Sequence, residues 1–145
     1  MGLDLDRPAA PVILAHYPGM AQQEQDVWDR FLVSENNIFT GFLYNVRIGD
    51  VAQSPPGTEE NLANMWREIN QSRLDALGIT DEELIVFEVK VSAGLSAIGQ
   101  AIGGQILTRA ETTDSRIVRA AIVSNGIRPD ARTVALALNI DIFVV

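Results

Sequence analysis

The run Leu84-Ile85-Val86-Phe87-Glu88-Val89-Lys90 constrains this chain more than any other segment. Its large aliphatic and aromatic residues read as a strand, and their near-continuity marks a central strand buried on both faces. A strand of that kind needs a sheet with helices packed on it. Into this apolar setting the sequence places an acid and an ammonium two residues apart, so both side chains leave the same face. Lys90 is the only lysine among 145 residues; the other ten basic residues are Arg.

Around that strand the patterning predicts one α/β domain over residues 20–145, preceded by an arm over residues 1–19. In the arm, Arg7-Pro8-Ala9-Ala10-Pro11 cannot be helical, Val12-Ile13-Leu14 is a short apolar patch, and Pro18-Gly19 is a turn. Residues 20–33 read as a helix with Val27, Trp28, Phe31 and Leu32 on one stripe. Glu24 stands on or beside that stripe, four residues before Trp28. Residues 38–48 alternate as a strand, with Phe42, Tyr44, Val46 and Ile48 expected on one face and Leu43, Asn45 and Arg47 on the other. After the loop Gln53-Ser54-Pro55-Pro56-Gly57, Thr58 is placed to cap a helix with Leu62, Met65, Trp66 and Ile69 on one side.

Arg73-Leu74-Asp75-Ala76-Leu77 is a short strand, and residues 78–83 are its turn. Beyond the central strand, Leu95, Ile98, Ile102 and Ile106 have helical spacing. Gly94, Gly99, Gly103 and Gly104 should weaken that helix by roughly 1 kcal/mol each relative to Ala, which implies another backbone passing close. Residues 117–123 read as a strand, 129–138 as a helix and 140–145 as a last strand. The order α-β-α-β-β-α-β-α-β predicts a mixed central sheet flanked by helices.

A chain of 145 residues with 47% hydrophobic content can bury a core without staples. The absence of cysteine excludes disulfides and thiolate metal sites. No apolar run is long enough to span a bilayer and no signal peptide is visible, so an intracellular, cytoplasmic protein with no membrane partner is expected. The net charge of −8 runs against a broad phosphate-binding surface. It is unevenly distributed, however: residues 1–90 carry 15 acids and 6 bases, residues 91–145 carry 4 acids and 5 bases. Arg109, Arg116, Arg119, Arg128 and Arg132 therefore read either as a modest phosphate-facing patch or as ordinary solvated arginines.

Asp75, on the strand before Glu88, can lie beside the Glu88–Lys90 pair. Two carboxylates and a backbone carbonyl, that of Val89, suit a hard cation such as Mg²⁺ or Mn²⁺. Lys90 would hold or deprotonate a water molecule or stabilise charge on a phosphate. The alternative is a Glu–Lys pair on a half-exposed strand, bridging to Arg73 or Asp75 as surface charge.

With Glu24 on a first helix, Asp75, the Glu88-Val89-Lys90 triplet and Gln100 on a following helix, residues 21–123 resemble the PD-(D/E)XK nuclease superfamily. That resemblance implies a restriction-endonuclease-like core and a metal-dependent nuclease acting on DNA. It implies Asp75 and Glu88 as metal ligands, Lys90 near the nucleophilic water, Gln100 as a helper for the lysine or substrate, and Glu24 as an acid that supports the site or holds a second metal ion. The chain departs from the pattern in having Leu74, not Pro, before Asp75; Asp50 competes with Asp75, and Gln105 with Gln100. The chain also resembles small proteins encoded among tailed-phage structural genes, through its Gly-Asp, Pro-Pro-Gly, Met-Trp and Arg-Leu-Asp-Ala-Leu-Gly order. This second resemblance implies a non-catalytic virion component using the fold as a scaffold. Such a protein would assemble with itself or with protein partners through the arm.

Overall fold

A computed structural model describes residues 3–49 and 54–145, the side chains of 66–70 excepted. Asp50, Gln53 and the side chains of Trp66 and Ile69 thus lie outside the described residues. The elements are α1 (Gln22–Leu32), β1 (Gly41–Ile48), α2 (Glu60–Asn70), β2 (Ser72–Ile79), β3 (Glu83–Ala93), α3 (Leu95–Glu111), β4 (Ile117–Ile127), α4 (Pro129–Ala137) and β5 (Asp141–Val144). Type and order are those predicted. The five strands form one sheet in the order β1-β2-β3-β4-β5. The first three are antiparallel neighbours, and β3-β4 and β4-β5 are parallel pairs. The change of sense follows from the connections: a tight turn joins β2 to β3, whereas α3 and α4 carry the chain back between parallel strands.

The β3 run is central as expected, and its alternation divides it between two layers. Ile85, Phe87 and Val89 enter the aromatic core beneath α1, with Trp28, Phe31 and Phe42. Leu84 and Val86 enter a second core with Leu74, Leu77 and Val118 on the α3 side. Glu88 and Lys90 continue that second face. A third cluster packs Ala97, Ile98 and Ala101 of α3 against Ile122 and α4.

The structure corrects several local expectations. The turn after β2 is shorter than residues 78–83, because Gly78 belongs to the strand. A Cβ at Gly78 would lie 2.7 Å from both the Phe39 and Phe87 rings. Thr80 makes the turn, its hydroxyl accepting from the Glu82 and Glu83 amides. Thr58 does not cap α2; its hydroxyl donates to the Pro55 carbonyl. Leu62 and Met65 are 54% and 56% exposed, so that part of the expected stripe is not covered. On α3 the sheet-facing residues are Ala97, Ile98, Ala101, Gly104 and Thr108, while Leu95 and Ile106 face outward. Small side chains let the helix approach the sheet more closely than a Leu/Ile stripe would.

Strand β1 does not keep one face. Phe42 and Tyr44 pack in the aromatic core, but Val46 and Ile48 pack on the α3 side with Leu43. The switch occurs at Asn45, whose φ is +51°.

Residues of the arm lie on their own domain. Ala9 and Phe42 exchange backbone hydrogen bonds of 2.7 and 3.0 Å, so the arm covers part of the β1 edge. Leu3 and Leu5 join one core, Leu14 and the buried Tyr17 another. Val12 and Ile13 stay exposed. Among the described residues no helix is long and apolar enough to cross a membrane.

Candidate active site

At the end of the sheet where β2 parts from β3, a cleft of about 350 Å³ opens against α3. It is lined by Asp75 of β2, Glu88 and Lys90 of β3, and Gly99, Gln100 and Gly103 of α3. The four residues expected to be catalytic thus meet in one space. The register explains how. The β2–β3 ladder ends at Ala76–Phe87, and beyond it Asp75 replaces a strand partner: the Val89 amide donates to its Oδ2 at 2.8 Å. A residue's N–H and C=O leave an extended strand on the same edge, so the Val89 carbonyl also faces the Asp75 side.

Glu88 is 7% exposed, and its Oε1 lies 3.3 Å from the Lys90 ammonium. Such burial does not fit a surface ion pair on a half-exposed strand. Burial pushes the Glu88 carboxyl up to about 7, the Asp75 charge adds to this, and Lys90 opposes it. Burial likewise raises Asp75 to about 6; the Val89 hydrogen bond works against the shift and the Glu24 charge reinforces it. For Lys90, partial burial disfavours its charge, but Glu88, Asp75 and Glu24 outweigh that and hold its pKa above the ordinary value. Lys90 is therefore an ammonium at neutral pH.

Two desolvated carboxylates raised in this way match a small hard cation, which neutralises both at once. Among the described residues no group of three or more His, Cys, Asp or Glu side chains could hold a metal ion. Asp75 and Glu88 would act as a pair, and water would complete the coordination, as is usual for Mg²⁺. Glu24 is not among the cleft residues. Its Oε1 accepts from the Ala21 amide at 3.1 Å at the start of α1, and its charge bears on the cleft from there.

Gln105 turns away; its amide donates to the Val118 carbonyl at 3.0 Å. Of the arginines of the second part, Arg109 and Arg119 line one shallow pocket with Gln105, and three of the five pair with carboxylates. Arg116 pairs with Asp114 at 2.9 Å, Arg119 with Asp141 at 2.8 Å, and Arg128 with Asp130 at 3.4 Å. Arg109 donates to the Val118 carbonyl. The partners of Arg116 and Arg128 are two residues away in sequence and that of Arg119 lies across the β4–β5 edge, so the charge of these three is met locally. The basic residue at the cleft that the sequence reading did not assign to the site is Arg73, two residues before Asp75. Strand spacing from Asp75 was the signal that could have found it.

The glycines of α3 divide into two kinds. A Cβ at Gly104 would lie 2.8 Å from Leu74 and 2.9 Å from Val86, so packing demands its absence. The close neighbours are side chains, not a second backbone. At Gly99 and Gly103 a Cβ would meet nothing within 4 Å. Those two positions leave the helix wall of the cleft bare.

No family profile matches the chain, and no curated protein does; the likeness to phage structural proteins finds no support there. Among solved structures the chain is similar to a repair endonuclease from Pyrococcus abyssi, at 18% identity and a TM-score of 0.45. The match covers 65% of this chain and 49% of that one, about half its length.

Proposed function

We propose that this protein is a divalent-cation-dependent nuclease that hydrolyses phosphodiester bonds of DNA. The observation that carries this reading is the convergence of Asp75, Glu88 and Lys90 on one open cleft. Asp75 and Glu88 would hold the cation, Mg²⁺ or Mn²⁺, with the Val89 carbonyl as a third protein ligand. When bound, such a cation polarises a phosphate oxygen and makes water a better nucleophile near neutral pH. Lys90, 3.3 Å from Glu88 on the cleft wall, offers a positive charge to the developing phosphate charge. Gln100, exposed on the cleft side of α3, offers an amide to a phosphate oxygen or to water. Glu24 works through its charge, by disfavouring ionisation of Asp75 and Glu88.

The test is cleavage of single- and double-stranded DNA and of RNA with Mg²⁺ or Mn²⁺. Lys90→Ala should lower the rate by about 10²-fold or more, with an unchanged circular dichroism spectrum. Glu88→Gln should weaken Mn²⁺ binding in calorimetry. A second reading, a non-catalytic assembly protein, draws on the charge of −8 and on arginines already paired with carboxylates. Purified protein that cuts no nucleic acid with either metal would leave that reading in place of the nuclease.

A further inference from the structure

Asn45 lies in the middle of β1 with a φ of +51°. Within a strand a non-glycine residue rarely takes this conformation, and Asn is among the few that tolerate it. Its place in the ladder matters. The β1–β2 pairing runs from Gly41–Ile79 to Tyr44–Ala76 and resumes at Val46–Leu74. The skipped rung is the one on which Asn45 faces Asp75.

Across that rung both strands exchange faces. Tyr44 and Ala76 pack with the aromatic core under α1, whereas Val46 and Leu74 pack on the α3 side. In regular strands residues two apart share a face, so 44 would go with 46 and 76 with 74. Side chains of a regular strand also stand roughly perpendicular to the sheet, where a carboxylate does not reach the backbone amide of the next strand. Asp75 does reach it: its Oδ2 accepts from Val89 at 2.8 Å. The exchange of faces therefore accounts for an in-plane carboxylate at the cleft. The fold also makes room for the Asn45 side chain, because a Cβ at Gly19 would lie 2.6 Å from Asn45 Oδ1.

We infer that Asn45 is a positioning residue: its left-handed backbone turns Asp75 out of the ladder and sets its carboxylate between Val89 and the cleft. Its bearing on catalysis rests on the nuclease reading above; its bearing on the Asp75–Val89 contact does not.

The experiment compares Asn45→Gly with Asn45→Ala in the full chain, with Asp75→Ala as a reference. Both Asn45 variants lose the side chain, but only Gly takes a positive φ without steric cost. The readout is amide hydrogen exchange followed by NMR. In Asn45→Gly the Val89 amide should stay as protected as in the wild type. In Asn45→Ala its exchange should rise about tenfold, towards that of Asp75→Ala, while Ile85 and Phe87 on the same edge of β3 stay protected. Equal Val89 protection in the Gly and Ala variants would overturn the inference, and so would uniform loss along β3. If the wild type cleaves DNA, cleavage should survive in the Gly variant and fall in the Ala variant. If the wild type does not cleave, the nuclease reading fails, and the exchange comparison still decides the role of Asn45.

Discussion

The two faces of the sheet are built for different ends, and β3 supplies both. On the α1 face, Trp28 stacks on Phe31 with ring centroids 5.0 Å apart and meets Phe42 and Phe87 edge-on at 5.1 and 5.2 Å. Phe39 and Phe143 extend the cluster at 5.3 Å from Phe87 and Phe31 respectively. That face is closed by large interlocking rings. On the α3 face the helix contributes mostly small residues, Ala97, Ala101 and Gly104 beside Ile98 and Thr108, and towards the start of β2 the packing stops and the cleft begins. Phe87 and Glu88 are adjacent in sequence yet serve opposite faces. The contrast teaches that stability and chemistry need not compete within one strand when the pleat sends them to opposite sides.

Neighbouring substitutions can break that comparison. Phe87→Ala should cost about 3–5 kcal/mol, the range for emptying a packed aromatic site. Measured by urea unfolding at pH 8, Glu88→Gln should instead raise stability, since it removes a desolvated charge. Losses of similar size at both positions would show that the α3 face is structural in the same sense as the α1 face.

The second expected effect is pH-dependent. In the folded chain Glu88 titrates near 7 and Asp75 near 6, against ordinary values of 4.5 and 3.8. Between those limits the folded state binds more protons than the unfolded state, so stability falls as pH rises. The contribution is complete below the ordinary values and gone once the pH passes the raised ones. Glu88→Gln should flatten the upper part of this fall by on the order of 1–3 kcal/mol. Thermal melts between about pH 5 and pH 8 measure it. A slope identical to that of the wild type would place the excess protons elsewhere.

The smallest effects sharpen the comparison within α3 itself. Gly104→Ala should destabilise by roughly 1–3 kcal/mol, because its Cβ would press on Leu74 and Val86. Gly103→Ala, one residue earlier, should stabilise by up to about 1 kcal/mol, since nothing opposes it and Ala favours the helix. Destabilisation at both positions in denaturant titrations would mean that the cleft wall is packed rather than bare.

Much of this was legible in the residues. The β3 run announces a central strand through its continuous apolar character; residue type and strand parity mark Asp75, Glu88 and Lys90, and the family resemblance marks Gln100. Glu24 was legible as an acid near the stripe of α1, but whether it enters the cleft depended on how far α1 reaches along the sheet. The apolar patch of the arm reads as a contact for a partner; Ala9 pairs with Phe42 of its own domain, while Val12 and Ile13 remain exposed.

Local chemistry determined the type and order of the elements among the described residues and the shared face of Glu88 and Lys90, because periodicity and turn residues act over a few neighbours. Tertiary structure alone decided the rest. The face exchange at Asn45 depends on which residue β2 presents opposite it. The difference between Gly103 and Gly104 depends on where Leu74 and Val86 come to rest. The pairing of Arg119 with Asp141 depends on β5 coming to lie beside β4. Each of these is a contact between segments far apart in the chain or a consequence of where the sheet ends, and no local pattern encodes that.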